Sequence, residues 1–479
     1  MKKILVSIIL VSMIALIFTP MTRSASPTPM LKYSVAPIRE QFIEDSTGEP
    51  LPAQPGYYLP YDVDLVNGEY FANGGQGIYV AVLDTGLVSN WANFLPPTAT
   101  VRTDLGKGWS YNLVWNPSLP RPDGGMGDYN WIPDTTRGFI TNNVGSGHGT
   151  HVTSTIVGYQ RSTIGVVPHI VLGVAPKATI IPLLGLDYWL VDCPDPTYPG
   201  YHAGKVMFGG GDDWMLSSAI YYVAGLAETN GWKIICTNSW GDTVPSPVIR
   251  EAIDYAITKG VIFVFSAGND GMDQMGWPGA YPEVISAAAG GWTMQMIGTG
   301  TPNIGGRWYL TDVPEKLNTR NVIPDLWAPG VTYENNWQMY LAEFSGRPNA
   351  ALGQSWKDLD VCAPGCYVVG PYKPNAAWNG AAWVNIGAVT AYYGLWGTSM
   401  AAPHVTGVAA IVAQNYPTFN QADMEYVLKK AATRIPLSSN VKYANDPYYG
   451  PAFYNNDHDA GAGWLTADNA MKTASVYHK

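Results

Sequence analysis

Three residues of types that can together activate a hydroxyl are spread along this 479-residue chain: Asp84, His148 and Ser399. Ser399 follows Gly397-Thr398 and leads into Met400-Ala401-Ala402-Pro403-His404-Val405, where the pattern turns helical. Val405, Val408, Ala409 and Val412 recur at i, i+3, i+4 and i+7, the buried stripe of an amphipathic helix. Pro403 falls in the first turn of that helix, where a missing N–H costs little. Unpaired backbone N–H groups and the helix dipole at such a terminus favour negative charge, including a serine alkoxide or the oxyanion it creates. The plain alternative is that Ser399 only caps the helix. A serine hydroxyl is a weak nucleophile at neutral pH and needs a base within reach. His148 offers one, exposed between Gly147 and Gly149 in Gly147-His148-Gly149-Thr150-His151-Val152. The base in turn needs an acceptor on its other nitrogen, to fix the tautomer and to stabilise the imidazolium, and Asp84 fits that need. Taken singly, a histidine is more often structural and a strand-end aspartate more often a turn residue.

The elements that must position these groups are also legible. Gly77 to Leu83 is a near-continuous apolar run that suits a parallel strand buried on both faces. Asp84 then projects from the C-terminal end of the strand, where open α/β sheets place their sites. Lys233–Thr237 and Val261–Phe265 read as further strands. The first delivers Asn238-Ser239-Trp240-Gly241, and the second delivers Ser266-Ala267-Gly268-Asn269-Asp270-Gly271. Met215–Ala227, Ile249–Lys259 and Gln421–Ala432 read as helices, and the helix after Ser399 runs to about Asn415.

These strings, in this order, resemble the subtilisin-like serine proteases over residues 74–467. The order Asp, His, Ser is that of subtilisin and differs from those of two unrelated serine hydrolase folds. The sedolisin relatives lack a His-Gly-Thr-His string and fit less well. The resemblance implies an α/β fold, a subtilisin-like three-layer sandwich with a mostly parallel central sheet flanked by helices and with long loop insertions. It implies Asp84, His148 and Ser399 as a triad, His151 as a packing or hydrogen-bonding neighbour, and Asn269 as the donor to the oxyanion. It also implies that Ser239, Trp240, Gly241, Ala267 and Gly268 bind substrate, the Ser239–Gly241 edge by pairing with a peptide backbone. Trp240 stands where relatives often carry leucine, so the adjoining pocket differs, unless the ring is simply core. The chemistry implied needs no cofactor. Structural calcium is common in the family, and Asn455, Asn456, Asp457 and Asp459 make an oxygen-rich loop, read here as solvated. An exopeptidase or processing protease on the same scaffold, or a non-catalytic surface protein, are the alternatives.

Composition bounds the rest. Hydrophobic residues make up 47% and charged residues 13%, which describes a packed globular chain. A net charge of −10 and no basic run beyond Lys2-Lys3 and Lys429-Lys430 argue against nucleic acid as a partner and leave protein or peptide substrates. Lys2-Lys3, the apolar run Ile4–Phe18 and the small residues Ser24-Ala25-Ser26 read as a secretory signal over 1–25, with an uncleaved membrane anchor as the alternative. The chain is therefore expected outside the cell, where disulfides are permitted, and Cys362-Ala-Pro-Gly-Cys366 suggests a small closed loop. Residues 26–65 read as an extended arm or short pro-segment, too short for a folded pro-domain, so that the chain from about Ala53 is expected to fold without one. Residues 66–479 read as the catalytic domain, with insertions near 88–143, 187–213 and 291–343.

Overall fold

The computed structural model describes residues 31–34, 39–43, 57–161, 169–292, 339–388, 391–435 and 459–477. The signal, most of the 291–343 insertion and Asn455 to Asp457 lie outside these residues. The Tyr111–Ile132 hairpin is a unit by itself, built on strands Ser110–Pro120 and Met126–Asp134. Edge-on ring pairs Trp115–Tyr129 and Tyr111–Trp131, with centroids 5.2 and 5.6 Å apart, tie its two strands together.

The larger unit is organised around one sheet. In spatial order its path runs through Met339–Leu341, Ile285–Trp292, Ile262–Ser266, Ile234–Asn238, Tyr79–Asp84, Thr179–Leu184 and Thr100–Val101. Val361–Pro364 also pairs with Ile285–Trp292, and Lys107–Gly108 with Thr179–Leu184. All pairings are parallel except that of Met339–Leu341. Both faces are covered, as the apolar runs require. Val80, Val82, Ile180, Ile235, Ile262 and Val264 join one core cluster with helices His148–Val157 and Thr398–Asn415. The alternate residues Ala81, Leu83, Ile181, Cys236 and Phe263 are equally buried but lie outside that cluster. Helices Asp213–Asn230 and Pro247–Thr258 pack on each other and contact the Tyr79–Asp84, Ile234–Asn238 and Ile262–Ser266 strands. These are the three layers of a doubly covered sheet. Asp84 shares the parity of Val80 and Val82, so the strand aims it at the layer that holds His148 and Ser399.

Several expectations need correction. The Ser399 helix starts at Thr398, which puts Pro403 inside the helix and not in its first turn. The helix is also buried on all sides from Thr398 to Ala413, so the valine stripe is only part of its buried surface. The 187–213 segment is largely a hairpin of Asp187–Asp192 against Lys205–Gly210, not a loop. No disulfide closes Cys362–Cys366: Cys362 belongs to strand Val361–Pro364 and faces the core, and all four cysteines are buried. Tyr57–Tyr58 pairs with strand His169–Val171, and helix Tyr61–Asp64 is buried, so both sit within the body of the fold.

Candidate active site

Asp84 is the last residue of its strand, and His148 is the first of its helix. The two elements approach closely because residue 149 is glycine. A Cβ there would lie 2.4 Å from the Gly86 carbonyl and 3.1 Å from Asp84 Cβ. Gly149 N–H donates to Thr85 Oγ1 (3.0 Å), and Val88 N–H donates to Thr150 Oγ1 (2.9 Å), which locks the first helical turn onto the strand end. His148 N–H is satisfied by Ser146 Oγ at 3.1 Å. The outcome is that His148 Nδ1 lies 2.9 Å from Asp84 Oδ1 and 3.0 Å from Oδ2, with both side chains fully buried, so the flanking glycines bring His148 against the strand end and do not expose its ring as expected. Oδ1 also accepts the Thr85 N–H at 2.7 Å. Among the described residues, His148 Nε2 has no hydrogen-bond partner.

Ser399 is the second residue of its helix, where main-chain N–H groups lack intrahelical acceptors. Its hydroxyl donates to the Ser239 carbonyl at 3.2 Å, and the Ser239 hydroxyl donates to the Ser399 carbonyl at 2.8 Å. The structure thus joins Asp84 to His148 and turns the Ser399 hydroxyl onto Ser239.

Asn269 follows Gly268, whose φ of +91° and whose would-be Cβ, 2.4 Å from Gly276 N, both require glycine. Asn269 Oδ1 accepts the Thr398 N–H and is 2.9 Å from the Thr398 hydroxyl. Among the described residues, no hydrogen bond takes up Nδ2, the side chain's donor. A Cβ built on Gly397 would be 3.7 Å from Asn269 Nδ2 and equally 3.7 Å from Ser399 N. Two donors therefore border one small space beside Gly397.

The expected substrate residues divide. Gly241 presents its carbonyl, at 3.4 Å, to the N–H of Ser34. Ala267 is fully buried in the core. The Gly268 carbonyl accepts the Gly346 N–H and stands 3.2 Å from the Thr398 hydroxyl. Trp240 is buried between Tyr33 and Phe265, each ring 5.2 Å away and nearly perpendicular to it.

Sequence reasoning named His151 as a packing or hydrogen-bonding neighbour but missed His404 and Lys373 among the groups that brace this arrangement. His151 Nε2 bonds the Val368 carbonyl at 3.1 Å, and burial and then the nearby His148 push its pKa down to about 3. His404, one turn beyond Ser399, bonds the Met400 carbonyl at 2.8 Å and Asp62 Oδ2 at 3.1 Å. Lys373 donates to the Gly145 and Asn143 carbonyls at 2.6 and 3.1 Å, beside the His148 turn, and burial lowers it to about 8. His404 stood in the Ser399 string, but Lys373 carries no sequence signal.

Among the described residues, no group of three acidic, histidine or cysteine side chains could hold a metal ion. Asp459 is buried, not solvated, and its Oδ2 faces the Arg347 Nε at 3.5 Å, so a protein cation already answers its charge. No described helix is long and apolar enough to cross a membrane.

Among known proteins, the chain is 30% identical over 329 residues to fervidolysin of Fervidobacterium pennivorans, a match covering 68% of this chain and 35% of that protein. It is 25% identical over 361 residues to subtilisin BL of Lederbergia lenta, covering 75% of this chain and 85% of that one. The solved structure of sphericase aligns with 85% of this chain and 97% of its own, at 23% identity and a TM-score of 0.48. Residues 75–463 match the family described as the subtilase family, and the chain belongs to that family of serine peptidases.

Proposed function

We propose that this protein is a secreted serine endopeptidase that cuts peptide bonds through an acyl-enzyme on Ser399. His148 acts as general base and then general acid, Asp84 orients it, and Asn269 and the Ser399 N–H hold the oxyanion. One observation carries this reading: a fully buried imidazole, clasped at Nδ1 by both oxygens of a buried carboxylate, keeps Nε2 without a partner among the described residues. Such a clasp fixes the proton on Nδ1 and leaves Nε2 as an acceptor. In the reaction, Nε2 takes the Ser399 proton as Oγ attacks the substrate carbonyl. The carbonyl oxygen becomes an oxyanion in the space between Asn269 Nδ2 and Ser399 N. Nε2 then returns the proton to the leaving amine, and water repeats the sequence to free the acid. Preorganised donors of this kind are worth roughly 10²–10³ in rate each.

The relatives' names support protein or peptide substrates, and the N-terminal signal supports export. No cofactor is needed in this scheme, and calcium has no role in it. Two measurements test the reading. Ser399→Ala should abolish hydrolysis of a casein or peptide substrate while leaving the thermal melt intact, and a fluorophosphonate probe should label the wild-type chain but not the variant. Hydrolysis by Ser399→Ala at a wild-type rate would overturn it.

A further inference from the structure

The N-terminal arm touches the substrate-binding edge in an ordered way. Lys32 and Tyr33 donate their N–H groups to the Gly211 carbonyl at 3.0 and 3.3 Å, and Gly211 N–H donates back to Tyr33 at 3.1 Å. Ser34 N–H donates to the Gly241 carbonyl at 3.4 Å. Both bridges are antiparallel. Gly241 closes the Ser239-Trp240-Gly241 segment, whose Ser239 bonds Ser399. This short stretch therefore lies on two main-chain edges at once, as an extended peptide adds to an open sheet edge.

Its side chains are also received. Tyr33 is 2% exposed and meets Trp240 edge-on, with Phe265 behind. The Tyr33 hydroxyl donates to Asp213 Oδ1 at 2.9 Å, and Lys32 Nζ stands 3.4 Å from Asp213 Oδ2. Asp213 is the first residue of helix Asp213–Asn230, yet the cap is supplied by Asp212, which accepts the Met215 N–H at 2.9 Å. The Asp213 carboxylate is thus spared from capping and serves two consecutive side chains of the arm. A mere tether would need neither the paired register nor a buried ring with its hydroxyl read at the far end.

Register locates the pocket along a substrate. In an antiparallel pairing with Ser34 opposite Gly241, the second residue after that of Ser34 faces Ser239. A peptide laid in the same register would bring that residue's carbonyl to Ser399. The Tyr33 pocket therefore takes the side chain three residues before the one that is acylated.

We propose that this pocket selects tyrosine in substrates, with Asp213 reading the phenolic hydroxyl and Trp240 lining the ring, and that the chain's own Lys32-Tyr33-Ser34 occupies it as an internal competitor. The inference rests on the reading of Ser399 as nucleophile.

The test uses the full chain and the fluorogenic peptides Lys-X-Ser-Val-Ala-aminocoumarin with X as Tyr, Phe or Ala. In the wild type, kcat/KM for Tyr should exceed that for Phe roughly tenfold or more, because a hydrogen bond to a charged acceptor is lost. In Asp213→Ala the ratio should fall to about one. Tyr33→Ala should lower KM for the Tyr peptide several-fold with kcat unchanged. Equal rates for Tyr and Phe in the wild type would overturn the selector, whatever the folding of Asp213→Ala. A ratio that survives in a folded Asp213→Ala, or an unchanged KM in Tyr33→Ala, would overturn Asp213's role or the arm's competition. Absence of hydrolysis of every peptide would instead count against the peptidase reading. The pocket would then be judged by anisotropy of fluorescein-labelled Lys-Tyr-Ser on Tyr33→Ala, competed by the Tyr peptide but not by the Phe peptide.

Discussion

Replacing Asp84 with asparagine tests the clasp on His148 with almost no change in volume. Asp84 Oδ1 accepts the Thr85 main-chain N–H at 2.7 Å, and a main-chain N–H can only donate. The carbonyl oxygen of an asparagine must therefore take the Oδ1 place. Its NH₂ group then falls where Oδ2 was, 3.0 Å from His148 Nδ1. If the ring keeps its proton on Nδ1, that N–H still reaches the amide oxygen at 2.9 Å but now meets an NH₂ donor at 3.0 Å, and the imidazolium formed in the proposed reaction has no carboxylate beside it. If the ring moves its proton to Nε2, it cannot accept the proton of Ser399. The first outcome weakens the base and the second removes it, and such a tautomer error costs roughly 10⁴-fold in kcat, equivalent to about 5 kcal/mol. Asp84 is fully buried, so KM should change little. The assay is kcat on a chromogenic peptide with active sites counted by titration, alongside a thermal melt. A folded variant that retains more than a tenth of wild-type kcat would refute the assignment of His148 as base.

Three further outcomes follow from the same geometry. Gly397→Ala should fold normally, because its backbone is extended and the new Cβ meets nothing closer than 3.7 Å. Its methyl would enter the space between Asn269 Nδ2 and Ser399 N, so kcat should fall by roughly 10² or more, measured beside an unchanged melt. Asn269→Ala should lower kcat by roughly 10²–10³ with KM little changed, and an effect confined to KM would show that Asn269 only binds substrate. His151 makes the fold acid-sensitive: between pH 6.5 and about 3 the unfolded chain takes up a proton that the buried ring refuses. The stability it contributes is full above pH 6.5 and is lost as pH falls. That gap, at about 1.36 kcal/mol per pH unit, is worth on the order of 5 kcal/mol. Urea midpoints between pH 7 and 4 should drop less in His151→Gln, and equal slopes would refute the assignment.

The sequence exposed those parts of the site that depend on local pattern. The apolar run before Asp84 required a doubly buried strand, and Gly-His-Gly and Gly-Thr-Ser marked helix starts that present a side chain. What stayed hidden depends on long-range contact. Nothing near Lys373 announces that its ammonium will hold the carbonyls of Asn143 and Gly145, 230 and 228 residues away. The 187–213 hairpin was obscured by prolines that sit between its strands and by a Gly209-Gly210-Gly211 run that reads as a loop, although Gly209 and Gly210 belong to the second strand. Tyr33 looked like any residue of a polar arm, since its burial comes from Trp240 and Asp213, far along the chain. Cys362 and Cys366 suggested a bridge by proximity in sequence, but both are free thiols in the core, Cys362 within a parallel strand and Cys366 beyond its end.

Pro403 shows how an apparent defect can serve the site. Inside a helix, proline cannot donate to the carbonyl four residues earlier, which here is that of Ser399. A bare carbonyl in a buried helix would be costly unless another donor reached it. The Ser239 hydroxyl does so at 2.8 Å, and the Ser399 hydroxyl bonds the Ser239 carbonyl in return. The proline thus frees the acceptor that ties the Ser399 helix to the Ser239–Gly241 segment. This pair of bonds joins Ser399 to the Ser239–Gly241 edge without using Nε2 of His148 or the donors beside Gly397. Restoring the helical N–H with Pro403→Ala would let the helix compete for the Ser399 carbonyl and loosen Ser239. Pro403 therefore bears on how the Ser399 helix is set against the Ser239–Gly241 segment, which its expected place in the first turn would not have given it.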